Sequence, residues 1–218
     1  KETASLKRLV EEVEIKTQMR ALWTVHAIGA ADEAWLAVLL KHDREAVRSA
    51  AVRMLSDVGV KLKKTLDRLA VMSHSDSSGL VLTYLASLLQ RLPHEQRWEL
   101  ASGLVAHKKH NDDRVLPLMI WYGIEEAVPG NPQAAVELFV RSEVRLVREF
   151  IARRLTENIE RNPESVDLLI EQVTKSKPNY WPVVDLVKGM SAALKGWRKA
   201  PQPKGWSNLA AYTSRFQD

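Results

Sequence analysis

Hydrophobic positions recur along this chain in blocks that read as amphipathic helices. Residues 19–29, 47–57, 79–92, 115–128, 147–158 and 183–194 each carry an apolar stripe at helical spacing, and successive blocks begin 28, 32, 36, 32 and 36 residues apart. In 44–57 the apolar positions are Ala46, Val47, Ala50, Ala51, Met54 and Leu55, one face at a period of 3.6 residues. A second helix-like stretch precedes each block: 5–13, 32–41, 60–72, 93–107, 132–141 and 163–174. A fixed period of this size marks a helical solenoid, in which one helix pair cannot bury its apolar face alone. The pattern predicts an all-α fold, a right-handed α-solenoid of about six HEAT-like antiparallel helix pairs. The links are short, so partners run antiparallel.

Punctuation supports the same division. Asp43 stands where an N-cap for 44–57 is expected, and Gly59 where that helix stops. Asn131-Pro132 and Asn162-Pro163 each place an Asn cap before a proline at the first helical position, and Pro178 opens the last helix of the set. After Gly196 the texture changes. Residues 197–206 are basic, Pro-containing and bounded by Trp197 and Trp206, and a short helix is expected over 207–216. The chain thus divides into a repeat domain, 1–195, and a terminal strap, 196–218, packed on the last repeat.

Charge changes this picture in one respect. The net charge is +5, but +4 of it lies in residues 195–218, leaving the repeats nearly balanced. Such a body lacks the broad positive field of a nucleic-acid binder. The chain contains no cysteine, which excludes disulfides, thiolate metal sites and covalent c-type haem within it. No apolar run approaches the roughly 20 residues of a membrane-spanning helix. The first residues are Lys-Glu-Thr, and the chain reads as a piece of a longer protein.

Arg20, Arg48 and Arg148 each follow an apolar residue at matching places, and in this they resemble HEAT repeats. That resemblance implies that the arginines and nearby aspartates tie adjacent units together. Two segments are more specific: 112–125, Asp-Asp-Arg-Val-Leu-Pro-Leu-Met-Ile-Trp-Tyr-Gly-Ile-Glu, and 144–155, Val-Arg-Leu-Val-Arg-Glu-Phe-Ile-Ala-Arg-Arg-Leu. With Arg20-Ala21-Leu22-Trp23 and the Gly-Trp pairs at 196–197 and 205–206, they resemble the HEAT-repeat region of planctomycete-type membrane-bound dehydrogenases with a haem-binding domain. In that family a sugar-dehydrogenase-like β-propeller precedes the repeats and a c-type cytochrome domain often follows. The resemblance implies a connecting scaffold with no cofactor of its own, a periplasmic or otherwise extracytoplasmic location, and no catalytic residue to carry over.

Several residues have both an ordinary and a functional reading. Trp121 and Tyr122 belong to a helix apolar almost all round, which favours a core role over a groove. Asp112 and Asp113 suit the positive end of that helix. His107 and His110 have a spacing that could share a metal, but Lys108 and Lys109 between them repel a cation, and the spacing matches no zinc signature. Trp197 and Trp206 either close the solenoid end or engage an acidic partner or a nucleic-acid strand. The polar residues expected on the concave second helices are Thr24, Arg53, Arg153 and Arg154. A protein, or a neighbouring domain of the same chain, is therefore the expected partner of a non-catalytic scaffold. The alternative is a HEAT-like DNA-binding enzyme such as an alkylpurine DNA glycosylase, kept open by seven tryptophans and a pI near 9.4 and opposed by the neutral body.

Overall fold

A computed structural model describes residues 2–12, 14–176 and 180–214. Among them every regular element is helical. The pairs are α1 (Glu2–Glu12) with α2 (Ile15–Ala27), α3 (Glu33–Leu39) with α4 (Glu45–Val58), and α5 (Lys63–Ser75) with α6 (Gly79–Leu89). There follow α7 (His94–Leu104) with α8 (Leu116–Ile124), α9 (Pro132–Arg141) with α10 (Arg145–Thr156), and α11 (Pro163–Lys175) with α12 (Tyr180–Ala193). The strap ends in α13 (Trp206–Thr213).

The helices form two layers. α3, α5, α7, α9 and α11 pack in succession as the first layer, and α2, α4, α6, α8, α10 and α12 as the second. α13 packs on α11, where the first helix of a seventh pair would lie. The chain is thus an α-solenoid. Each pair contributes side chains to one continuous core, among them Leu22, Leu36, Leu55, Leu69, Leu85, Leu100, Ile120, Phe139, Ile151, Leu169 and Leu186, all fully buried. Burial of each such side chain favours folding by about 1.5–3 kcal/mol.

Local details depart from the sequence pattern. α4 begins at Glu45 with Arg44 as its N-cap, and no side chain caps it. Asp43, expected there, instead offers its carbonyl to Arg48 Nη1 at 2.8 Å. Asn131 caps α9 through Ala134 N–H at 3.1 Å. Asn162 holds nearly the same backbone conformation but makes no side-chain cap. Pro117 occupies the first turn of α8, where its missing N–H costs nothing, so it begins this helix rather than interrupting it. The stretch expected as helix to 128 breaks after Ile124 into a 3-10 turn, Glu125–Ala127. Gly59 ends α4 with φ +89°, a conformation that side chains disfavour. The start expected at Pro178 and the end expected at Phe216 lie outside the described residues.

Close approach within the layers depends on glycines. A Cβ at Gly189 of α12 would lie 2.3 Å from the Glu149 carbonyl oxygen and 2.7 Å from Ala152 Cβ on α10. Gly103 meets Ser73 of α5 in the same way, and Gly123 meets Leu89 of α6. We expect Gly189→Ala to force α12 away from α10 and to cost about 1–3 kcal/mol. Gly130→Ala, whose nearest obstacle is 3.7 Å away, should leave the urea midpoint nearly unchanged. Equal midpoints for the two variants would contradict this packing.

Candidate functional site

Adjacent repeats are fastened by arginine. Arg48, on the first turn of α4, donates from Nε to Asp76 Oδ2 at 2.8 Å and from Nη2 to Asp76 Oδ1 at 3.0 Å. Its Nη1 reaches the carbonyls of His42 and Asp43. Arg148 repeats the arrangement on α10. Its Nε and Nη2 meet Asp185 Oδ2 at 2.8 and 2.6 Å, and its Nη1 donates to the Ser142 carbonyl. Asp185 is only 1% exposed. Burial would raise the Asp76 carboxyl, but Arg48 and the Ser78 N–H outweigh it and hold the group below the usual carboxylate range. Hydrogen bonding to Asp76 in turn raises Arg48.

Arg20 does not follow its counterparts. It is exposed on α2, and its carbonyl accepts from Thr24 Oγ1. The first junction instead uses buried Gln18, whose Oε1 accepts from Arg44 at 2.9 Å and whose Nε2 lies 3.1 Å from His42 Nε2. A further tie was not evident in sequence. Arg97 of α7 is buried and donates to the carbonyls of Leu92 and Gly123 at 2.8 and 3.0 Å. Its burial lowers its pKa from the ordinary arginine value. Nothing in the spacing distinguishes Arg97 from a surface arginine, because its partners are backbone oxygens.

The remaining face of the second layer carries the candidate binding residues. On α10, Arg153 Nε donates to Glu157 Oε1 at 2.9 Å and Arg154 Nη1 to Glu157 Oε2 at 3.3 Å. These residues, with Trp121, Tyr122, Glu125 and Phe150, line a cleft of about 220 Å³ between α8 and α10. Trp121 is 6% exposed and packs on Phe150 with ring centroids 5.3 Å apart, whereas Tyr122 is 51% exposed. The indole therefore both fills the core and floors the cleft. The structure brings Trp121, Arg153 and Arg154 together. Thr24 and Arg53 lie on α2 and α4, near the other end of the layer. Arg53 Nε lies 3.8 Å from Asp57 Oδ2, which His26 Nε2 approaches to 3.4 Å.

Trp197 and Trp206 belong to neither group; they lie on the strap and are 39% and 41% exposed. The strap is held instead by Leu209, which is buried, by Gly205 against Ile170, and by Lys204 N–H donating to Asp167 Oδ1 at 2.7 Å.

The histidines have structural neighbours. His107 Nε2 lies 2.7 Å from the Ser73 carbonyl, and His110 packs against Gly79. Burial lowers the His110 pKa, and the charges of Lys109 and His107 lower it further. No group of three metal-ligating side chains forms among the described residues. Asp113 Oδ1 accepts from Val115 and Leu116 N–H, both at 2.8 Å, which keeps its carboxyl below the ordinary value. Asp112 is instead bonded by Asn111 Nδ2 at 3.0 Å. No helix among the described residues is long and apolar enough to cross a membrane.

Two layers of stacked helices and an arginine-fastened second layer place this chain among the α-helical repeat proteins. No protein-family model and no curated protein matches it. Among solved structures it is similar to the designed armadillo repeat protein YIII(Dq)4CqI, with 16% identity and a TM-score of 0.41, over 96% of this chain and 98% of that one. The fold itself stands on the helix contacts described above.

Asp76 carries a pH prediction. Its folded pKa is depressed, so its contribution to stability is complete above its unfolded value and is lost as the pH falls through the folded one. The stability difference between the parent and Asp76→Asn should therefore be constant near neutrality and shrink below about pH 4. Urea titrations across that range would show it, and a difference independent of pH would contradict the assignment.

Proposed function

We propose that this chain is a non-catalytic scaffold whose second-helix face holds another protein or a neighbouring domain. The observation that carries this reading is the cleft between α8 and α10, where Trp121, Phe150 and exposed Tyr122 lie beside Arg153 and Arg154. Tryptophan, tyrosine and arginine together are the side chains most often found at the energetic centre of a protein interface. The arginines are already oriented by Glu157, so a partner would lose little entropy in ordering them. Two carboxylates, Glu125 and Glu157, line the cleft with its two cations, a balance that supports a protein partner over a polyphosphate.

Arginine also answers for the carboxylates that an enzymatic reading would need. Among the described residues the two buried aspartates, Asp76 and Asp185, are each bound by arginine. That leaves neither as a ready general base, and it weighs against the glycosylase alternative. We further propose, from the resemblance of residues 112–125 and 144–155, that the scaffold belongs to a larger extracytoplasmic redox protein. There it would join a propeller dehydrogenase domain to a cytochrome c-type domain.

The test is to add the separately purified propeller and cytochrome domains of such a parent to this chain and map hydrogen exchange. Protection is expected on the outward residues of α8 and α10, with binding weakened at least about tenfold by Tyr122→Ala or Arg153→Glu. The chain alone should show neither a Soret band nor dehydrogenase turnover. Protection confined to the first layer, or a Soret band from the purified chain, would overturn the proposal.

A further inference from the structure

The two arginine junctions use the same helix position, the fourth residue of α4 and of α10, but differ in charge. At α4 the first helical residue is Glu45, which accepts the Ser78 hydroxyl, so Arg48, Asp76 and Glu45 leave one surplus negative charge. At α10 the first helical residue is Arg145, which donates from Nε and Nη2 to Asp185 Oδ1 at 3.2 and 3.1 Å. Arg148 already binds the other oxygen of that carboxylate. Two guanidiniums thus share one buried carboxylate and leave a surplus positive charge. A cation on the first turn of a helix is also opposed by the helix dipole. Arg148 meets only Asp185 Oδ2, so Arg145 satisfies the buried Oδ1 through Nε and Nη2, and its Nη1 is left over from the junction.

What Arg145 does have is a cleft. Its guanidinium stacks on Trp181, 3.6 Å from the ring centroid, and the indole is 48% exposed. Both line a cavity of about 450 Å³ at the loop edge of the solenoid, with Lys108, Asp112 and Glu143 at its rim. That volume is in the range of ligand-holding clefts. Among the described residues nothing accepts from Arg145 Nη1.

We infer that this cleft is a second binding site, distinct from the α8–α10 face, and that it takes an acidic polypeptide segment. An Asp or Glu carboxylate of the partner accepts from Arg145 Nη1 and Lys108, in charge-assisted hydrogen bonds. A neighbouring side chain lies on the exposed part of Trp181. Asp112 and Glu143 accept backbone N–H groups of the same segment. These rim carboxylates favour a polypeptide, whose backbone N–H groups they can accept, over a nucleic-acid strand, whose sugar-phosphate backbone offers no N–H.

The probe is a hexaglutamate peptide, followed in the full chain through the indole N–H resonances of the seven tryptophans, with that of Trp181 assigned by Trp181→Phe. Hexaglutamate should move the Trp181 resonance saturably. Arg145→Glu should weaken binding at least about tenfold, and Lys108→Glu, an exposed change that leaves the junction intact, several-fold. Arg145→Lys, still folded by its unfolding midpoint, should bind more weakly than the parent but more tightly than Arg145→Glu. The inference is overturned if Trp181 does not respond to millimolar peptide. It is equally overturned if Lys108→Glu and folded Arg145 variants bind like the parent, or if oligothymidylate binds more tightly than hexaglutamate.

Discussion

The stacking of each second helix on the next is the contact on which the rest of this molecule depends. At α10 and α12 it is close enough that the Gly189 backbone lies against the Glu149 carbonyl and the Ala152 methyl. A solenoid has no distant contacts to correct an error in one junction, because each repeat touches only its neighbours. Apolar packing alone tolerates sliding by a helical turn. The Arg148–Asp185 pair does not, since only one offset brings the carboxylate over the guanidinium. A buried pair of this kind adds little net stability, because desolvation offsets most of the attraction. Its contribution here is register, and the Arg48–Asp76 pair performs the same service three repeats earlier.

The surface inherits its order from that register. Arg153 and Arg154 both turn to Glu157, and all three stand beside Trp121 and Tyr122 only because α8 and α10 meet at one fixed offset. Three glycines at inter-repeat contacts, Gly103, Gly123 and Gly189, extend this dependence through both layers. The helices meet there at the backbone, so their outward side chains are displayed by a surface with little freedom to shift.

Helical periodicity made the repeat legible, because each buried face must recur every 3.6 residues whatever its neighbours are. The six pairs follow from it, and Asn131 as a cap follows from the proline after it. Asp43 and Asn162 show where such reading stops. Both have capping chemistry, but Asp43 lies one residue before the cap position, which Arg44 holds, and Asn162 has the backbone of Asn131 without its side-chain hydrogen bond. Pro117 looks like an interruption inside an apolar run but falls in the first turn of α8, where its missing N–H is not needed. Arg48 and Arg148 could be picked out by their repeated position. Their partners could not, because Asp76 lies 28 residues on in a loop and Asp185 37 residues on inside a helix. Of the candidate surface residues, Trp121, Arg153 and Arg154 share one cleft, Thr24 and Arg53 belong to distant helices, and Trp197 and Trp206 lie on the strap. Sequence offered chemistry for all seven and proximity for none.

Charge illustrates the same difference between a sum and an arrangement. The net +5 lies mostly in the last 24 residues, which makes the repeats look electrostatically bland. Yet two junctions built on the same helix position carry opposite surpluses, Glu45 beside Arg48–Asp76 and Arg145 beside Arg148–Asp185. Each surplus charge is held in place by a partly buried pair, where the field is less screened than on open surface. A scaffold built by stacking one kind of helix pair needs some means of making its positions unlike one another. Exchanging a single first-turn residue, carboxylate for guanidinium, achieves this while leaving the fastening arginine and its aspartate intact.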